Sequence, residues 1–368
     1  MTPEDLRADI PVTDAVSYFN TGASGPSPRR VVEAVCDFQR YHEFEAPATE
    51  GMYSAGWGTF EEARAAVAEF VDVDSDEIAL TQSTAAGIVI IAGSIDWGAD
   101  DVVVRTDIEH PAGTLPWNRL RDTHGIGVEV VEGEKGVFDP DEFKGVVDGA
   151  RLVCLSSTSW NYGTTLPVSE ITEIAHDAGA MVLVDAVQSF GQLPVHPTEW
   201  GVDFVAASGH KWPLGPWGTG WLYVDADARD RLRPTRIGGH GVTGFDETDY
   251  EYKESAAMFD LTTMPVAVYR GLHESVAMID DLGLDVIQAR IERLTDRLKD
   301  GIPAERLHSP RAYQSGLVSF EVSEPEAFVD RAREADIVVR TLPAPEIVRA
   351  SVHAFNTAEE IDALLDLI

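Results

Sequence analysis

The chain has 368 residues, 44% of them hydrophobic, which is more than a single hydrophobic core usually absorbs, so a large domain with a smaller companion is expected. Its 63 acidic and 28 basic residues leave a formal charge of −35; this argues against nucleic acid and anionic membranes as partners and suits a halophilic surface that stays soluble in concentrated salt. Only Cys36 and Cys154 are present, without a CxxC spacing, which excludes a disulfide framework and a cysteine-rich zinc site.

The N-terminal M-T-P-E-D-L-R-A-D-I has neither a basic n-region nor an apolar h-region, and the apolar stretch 87–95 is too short to span a bilayer, so a cytoplasmic chain is expected. Residues 51–58, with Tyr53 and Trp57, are expected to be a loop that either reaches a site or covers the core. From about Ile78 to Val224, short β-rich runs (102–105, 128–131, 152–155, 181–184, 203–207 and 220–224) alternate with helical patterns such as 168–178. That rhythm predicts an α/β layer around a mostly parallel sheet. Beyond Pro265 two long helices follow at 266–282 and 284–300, then strands at 317–322 and 337–340 and a closing helix from Thr357. These predict a smaller α+β domain of residues 263–368 completed by 1–15, beside a large domain of residues 16–262.

Several positions carry chemical meaning. Asp185 ends the apolar run M-V-L-V-D, 26 positions before Lys211, and Gln188 follows it. Lys211 is one of five lysines in the chain and stands in S-G-H-K-W-P, just past a buried strand. Residues leaving the carboxyl ends of parallel strands share one crevice, so Asp185 and Lys211 can meet over one ligand. A lysine that bonds an aldehyde and a carboxylate that keeps a pyridine nitrogen protonated are what pyridoxal phosphate requires. On spacing alone, a surface lysine and a helix-capping aspartate fit the same positions.

Further residues converge on that reading. T-Q-S-T-A-A-G-I places Ser83, Thr84 and the Ala85 amide between a strand and a helix, where they can hold a phosphate or simply cap the helix. His110 follows another strand and can lie on a pyridine face. Asn161, in S-S-T-S-W-N-Y-G, can donate to a phenolic oxygen or serve as a turn residue. The G-H-G-V-T-G run at 239–244 matches a dinucleotide pattern, but no strand feeds it, and it is expected to be a loop. The ten histidines include no metal-type spacing, so no metal site is expected.

Asp185-Ala-Val-Gln188, Ser208-Gly-His-Lys211 and the following G-P-x-G-x-G-x-L-Y-V together resemble the class V aminotransferase family, over nearly the whole chain from Tyr18 to Asp362. The resemblance implies a fold-type-I pyridoxal phosphate enzyme with a seven-stranded, mostly parallel sheet between helices. It implies Lys211 as the covalent anchor and proton-moving base, Asp185 as the partner of the pyridine nitrogen, and His110 stacked on the ring. Gln188 and Asn161 would face the ring oxygen. Ser83, Thr84, Ala85, Ser208 and His210 would hold the phosphate, joined by Thr263 from a neighbouring subunit, so that a homodimer follows. Arg349 would grip the carboxylate of an amino-acid substrate, with Asn20 beside it. Cysteine desulfurases of this family carry a nucleophilic cysteine in the stretch that reads R-T-L-P-A-P-E-I-V-R here, and this chain has none there. Transamination is therefore expected first, a C–S lyase or an epimerase second. A non-catalytic cofactor-binding protein and a nicotinamide-dependent oxidoreductase stand as the other readings.

Overall fold

Runs of buried β-branched residues build the centre of the molecule. The computed structural model describes every residue except Phe245, Glu247, Thr248, Thr262 and Ala344. Seven strands form its main sheet: β1 (Ile78–Thr81), β2 (Val102–Thr106), β3 (Gly127–Val131), β4 (Ala150–Ser156), β5 (Met181–Asp185), β6 (Phe204–Ser208) and β7 (Gly220–Val224). Their spatial order is β1-β7-β6-β5-β4-β2-β3. The block from β6 to β3 is parallel, and β7 runs antiparallel to both of its neighbours.

Period-two alternation decides what each face packs against. Val182, Val184, Val205 and Tyr223 meet Phe60 and Val67 of α2 (Met52–Phe70), which follows α1 (Arg29–Phe44). On the other face Leu183, Phe204 and Leu222 meet Ile88 and Ile91 of α3 (Thr84–Ser94) and Trp117 of α4 (Leu115–His124). β5, β6 and β7 are therefore buried along their whole length, as strands covered on both sides must be. α5 (Val168–Asp177) closes at Ala178, and Gly179 takes the left-handed φ of 82° that turns the chain into β5.

The long helices are α6 (Val266–Leu282) and α7 (Leu284–Gly301). Next come β8 (Leu317–Phe320), α8 (Pro325–Glu334), β9 (Arg340–Pro343), β10 (Glu346–Ser351) and α9 (Ala358–Leu365). β8, β10 and β9 make an antiparallel sheet in that order. Leu294 and Leu298 of α7 and Ile361 and Leu364 of α9 pack on its Phe320 and Val348. The strand expected at 337–340 splits: Ile337–Val338 pairs with Ser17–Tyr18, and after Val339 the chain changes partner to β10. Leu6 and Ile10 of the N-terminal segment pack against Trp212 and Phe355, next to the lysine-bearing turn. Thr357 and Glu360 exchange the two bonds of a capping box at the start of α9, worth about 1 kcal/mol. Within 239–244, where a loop was expected, Val242–Thr243 forms a short strand paired antiparallel with Glu251–Tyr252, and the glycine run opens no helix.

Candidate active site

The carboxyl ends of the parallel strands bring distant residues together. Register sets Asp185 beside Ser156 on one side and Ala206 on the other. It also aligns Thr81, Gly220 and Ser208 across β1, β7 and β6. The turn after β1 consequently lies over Ser208: Thr84 N donates to Ser208 Oγ at 2.7 Å, and the Thr84 and Ser208 hydroxyls stand 2.7 Å apart. This approach needs a glycine at 220, because a Cβ there would sit 2.9 Å from Ser83 Cα and 2.7 Å from the Ala207 carbonyl oxygen. α3 begins at the same point, with Ser83 Oγ accepting from Ala86 N, so its first-turn amides lack helical partners.

Ser83, Thr84, Ala85, His110, Asp185, Gln188, Ser208, His210, Lys211 and Arg349 all line one cavity of about 220 Å³. A larger, shallower hollow of about 680 Å³ lies against Glu321, Glu324 and Glu346 and holds no comparable set. Lys211 is half-buried, with its exposed remainder lining the cavity. Burial lowers its pKa to about 8; Asp185 pulls the other way, and the charges of Arg349 and Arg340 add to the fall. Asp185, buried at 3% exposure, is raised to about 6 by desolvation, against the Val187 amide that donates to its Oδ1 at 2.9 Å and the charge of Lys211. Lysine and carboxylate are thus both pushed toward their neutral forms, a pattern typical of working sites.

His110 opens onto the cavity with its ring edge-on to Trp160, centroids 5.4 Å apart. Desolvation, then the charges of Lys211, Arg340 and Arg349, lower its pKa to about 4, so the imidazole is neutral and its Nδ1 accepts from Ala112 N at 3.2 Å. Glu109 fixes this segment from beneath. Its buried carboxylate accepts from Thr106 Oγ1 (2.5 Å), Ser156 N (2.9 Å) and Ser156 Oγ (2.7 Å), tying the end of β2 to the end of β4. Burial raises Glu109 to about 7. His210 lies against the exposed Trp217, the ring centroids 4.9 Å apart and the planes tilted by 42°. Gln188 is braced at both ends, its Nε2 donating to Gly22 O and its Oε1 accepting from Trp212 Nε1, each at 2.9 Å.

Arg349 is 1% exposed, yet only its Nη1 is engaged, donating to Trp160 O at 2.6 Å; Nε and Nη2 are buried without a partner. A guanidinium left so has a strong need for an anion. Gly22 lies flush against it, since a Cβ there would come within 3.1 Å of Nη2.

Two residues expected at this chain's own cavity, Asn161 and Asn20, lie off its wall, and Thr263, expected to serve a neighbouring subunit, lies away from it. Asn161 turns inward to the protein, its Oδ1 accepting from Ser159 Oγ at 2.7 Å, and the preceding Trp160 takes the wall position instead. Asn20 bridges to Ser351, leaving Gly22 and Ala23 of its loop on the wall. Thr263 is exposed at a φ of 64° and lines a separate apolar hollow with Tyr53, Trp57 and Met264. Among the wall residues that were not anticipated are Trp160 and Arg340. The available signal was adjacency: one precedes Asn161, and the other opens the segment that ends at Arg349. Among the described residues there is no His, Cys, Asp and Glu cluster suited to a metal, and no helix long and apolar enough to cross a membrane.

The pattern of the family described as aminotransferase class-V matches residues 17–364. A probable cysteine desulfurase of Methanothermobacter thermautotrophicus is 36% identical to this chain, and the match covers 99% of this chain and 96% of the relative. Cysteine desulfurase from Thermococcus onnurineus NA1, solved in its apo form, superposes with a TM-score of 0.92 at 30% identity, covering 100% of this chain and 97% of that one. The cystine C–S lyase C-DES, solved with its reaction product cysteine persulfide, superposes with a TM-score of 0.92 at 28% identity over 97% and 98% of the two chains.

Proposed function

Because this chain belongs to the aminotransferase class-V family, we propose that it holds pyridoxal phosphate in the Lys211 cavity and with it breaks the Cβ–S bond of a cysteine-type amino acid. The chemistry of the wall supports the cofactor. A lysine shifted toward its neutral form suits an aldehyde, Asp185 suits a protonated pyridine nitrogen, and the Ala85 amide with the Ser83, Thr84 and Ser208 hydroxyls suits a phosphate. When bound, this group supplies the electron sink for the pair left at Cα.

The protein's own groups do the rest. Nε and Nη2 of Arg349 hold the substrate carboxylate, satisfying the donors now left without partners. Lys211 Nζ, neutral above about pH 8, takes the Cα proton. His110, with Nδ1 engaged, keeps Nε2–H for the departing sulfur. The Cβ–S bond then breaks with its electron pair on sulfur. The carbon skeleton takes up water to leave as pyruvate and ammonia.

One observation carries the choice of a lyase over a thiol-relay desulfurase. Cys36 is exposed on α1 and Cys154 is buried inside β4, so neither stands on the cavity wall, and the 340–349 segment has no cysteine to receive sulfur. The order expected from the sequence is reversed here: transamination becomes the second reading, since the similar proteins are named for sulfur chemistry.

We further read the hollow around Thr263, Tyr53 and Trp57 as the face offered to a second copy of the chain, with Thr263 reaching the phosphate end of that copy's cavity. The functional test is product analysis of the reconstituted protein with L-cysteine and L-cystine. Sulfide or persulfide released together with pyruvate supports the reading. A keto acid that retains its sulfur establishes transamination instead, and alanine with released sulfur establishes desulfuration.

A further inference from the structure

The turn that carries Lys211 is strained, and one buried imidazole holds it from behind. Leu214, three residues after the lysine, is buried at a φ of 64°, a left-handed conformation that a Cβ disfavours and that persists only where the surroundings impose it. Its amide donates to the Lys211 carbonyl oxygen at 3.1 Å, and a Cβ at Gly25 would collide with that same oxygen. Trp212, next to the lysine, is gripped at two polar ends. Its Nε1 donates to Gln188 Oε1, and its carbonyl oxygen lies 3.0 Å from Nε2 of His353, two residues past β10. A carbonyl only accepts, so Nε2 carries the proton and Nδ1 is bare. His353 is wholly buried, its ring inclined by only 18° and 22° to those of Trp212 and Phe355, and its own backbone N–H donates to Asn356 Oδ1 at 2.8 Å. Burial lowers its pKa to about 4, against the bond to Trp212, so above that pH the ring is neutral. Nδ1 has no partner. A phenyl ring would fill the same slot without a stranded nitrogen, but it could not make the bond to the Trp212 carbonyl, the imidazole's only hydrogen bond among the described residues.

We propose that His353 is a positioning residue for Lys211: by holding the Trp212 carbonyl it fixes the turn from which the lysine amine enters the cavity. The inference rests on the reading of Lys211 as the residue that bonds the cofactor aldehyde. An amine that attacks a carbonyl carbon and later takes a proton from Cα works only within a narrow range of positions. Its four-carbon stem magnifies any rotation of the backbone beneath it. The peptide unit that follows Trp212 ends on Pro213, which has no N–H, so the carbonyl is the only polar handle on that unit, and His353 is what holds it. The imidazole comes from the small domain, on the segment that also brings Arg349 to the cavity, so one stretch of chain reaches both the wall and the back of the lysine turn.

Two substitutions separate the bond from the packing. His353→Phe keeps a flat ring beside Trp212 and strands its carbonyl; His353→Gln gives up the ring and keeps an amide donor at the reach of Nε2. Backbone hydrogen exchange of the full chain, followed by mass spectrometry over residues 209–215, needs no cofactor. It should accelerate about tenfold or more in His353→Phe, the effect of one buried bond lost with its carbonyl left unpaired, and by less than about threefold in His353→Gln. The second readout is the rate at which added pyridoxal phosphate develops visible absorbance on the cofactor-free protein, which should fall by a similar factor in His353→Phe alone. The affinity for 4′-deoxypyridoxine phosphate, which lacks the aldehyde, should stay within about twofold in both variants, because its binding does not use the lysine turn. Equal effects of the two substitutions would make His353 a packing residue, and so would exchange and absorbance rates in His353→Phe within about twofold of the parent; either result overturns the proposal. A fall in deoxypyridoxine phosphate affinity that matches the fall in rate would mean that the whole site has collapsed, which overturns it as well. A parent protein that never develops absorbance refutes the cofactor reading, while the exchange comparison still decides whether His353 holds the turn.

Discussion

Replacing Arg349 by methionine should make the cofactor-free protein more stable and the enzyme much worse. Burial, and secondarily the charge of Arg340, lower the Arg349 pKa from the ordinary guanidinium range to about 9. The folded value lies below the unfolded one, so the fold penalises the charged form. That penalty is complete below about pH 9 and is relieved only as pH rises from there toward the ordinary guanidinium range. At about 1.36 kcal/mol for each pH unit, the upper bound near neutrality is about 5 kcal/mol. Methionine also strands the Trp160 carbonyl, which returns about 1–3 kcal/mol. A net gain of about 2–4 kcal/mol remains, read as a higher urea midpoint of the cofactor-free protein and shrinking above about pH 10. The same change removes a two-pronged carboxylate contact, so KM for the amino acid should rise about a hundredfold. A cofactor-free Arg349→Met protein that is less stable than its parent by more than about 1 kcal/mol would make this arginine a structural residue and refute the reasoning.

Lys211 gives a pH test. With its amine lowered to about 8 by burial, the rate at which added pyridoxal phosphate develops visible absorbance should rise through about pH 8 and then level off. An ordinary lysine would keep rising toward about pH 10.4, and a midpoint there would contradict the described environment. Asp185→Asn should move the midpoint lower, because it deletes the charge that supports protonated Lys211. Away from the cavity, Arg64 of α2 pairs with Asp260 at 2.5 Å, both about 97% buried, and Asp260 also accepts from Leu80 N on β1. Arg64→Ala should cost about 3–5 kcal/mol in urea unfolding by stranding that carboxylate, and Arg64→Met combined with Asp260→Leu should recover most of it. A loss below about 1 kcal/mol for the single change would show that the pair is not buried as described.

Much of the site was legible because its signals are local. A run such as M-V-L-V-D can only be a strand covered on both faces, so Asp185 had to emerge at its end, and the same holds for Ser208 before Lys211. The turn between a strand and a helix marked Ser83 in the same way. What was not legible depends on which way a turn faces. Trp160 and Asn161 are neighbours in an irregular loop, and the hydroxyl of Ser159 captures the asparagine while the tryptophan meets the cavity. Periodicity says nothing about such a choice.

By itself the sequence determined the α/β architecture, the chain positions of the lysine, the aspartate and the arginine that meet at one cavity, and the absence of a thiol beside that arginine. These follow from short-range chemistry: strand ends, helix starts and residue identity. Tertiary structure alone decided that Arg340 stands opposite Arg349, that Gly22 lies against its guanidinium, and that Trp160 in place of Asn161 meets the cavity. Each of these is a matter of strand register, of contact between segments far apart in the chain, or of a choice of face. Strand register and close packing set such relations, and no local pattern of residues encodes them.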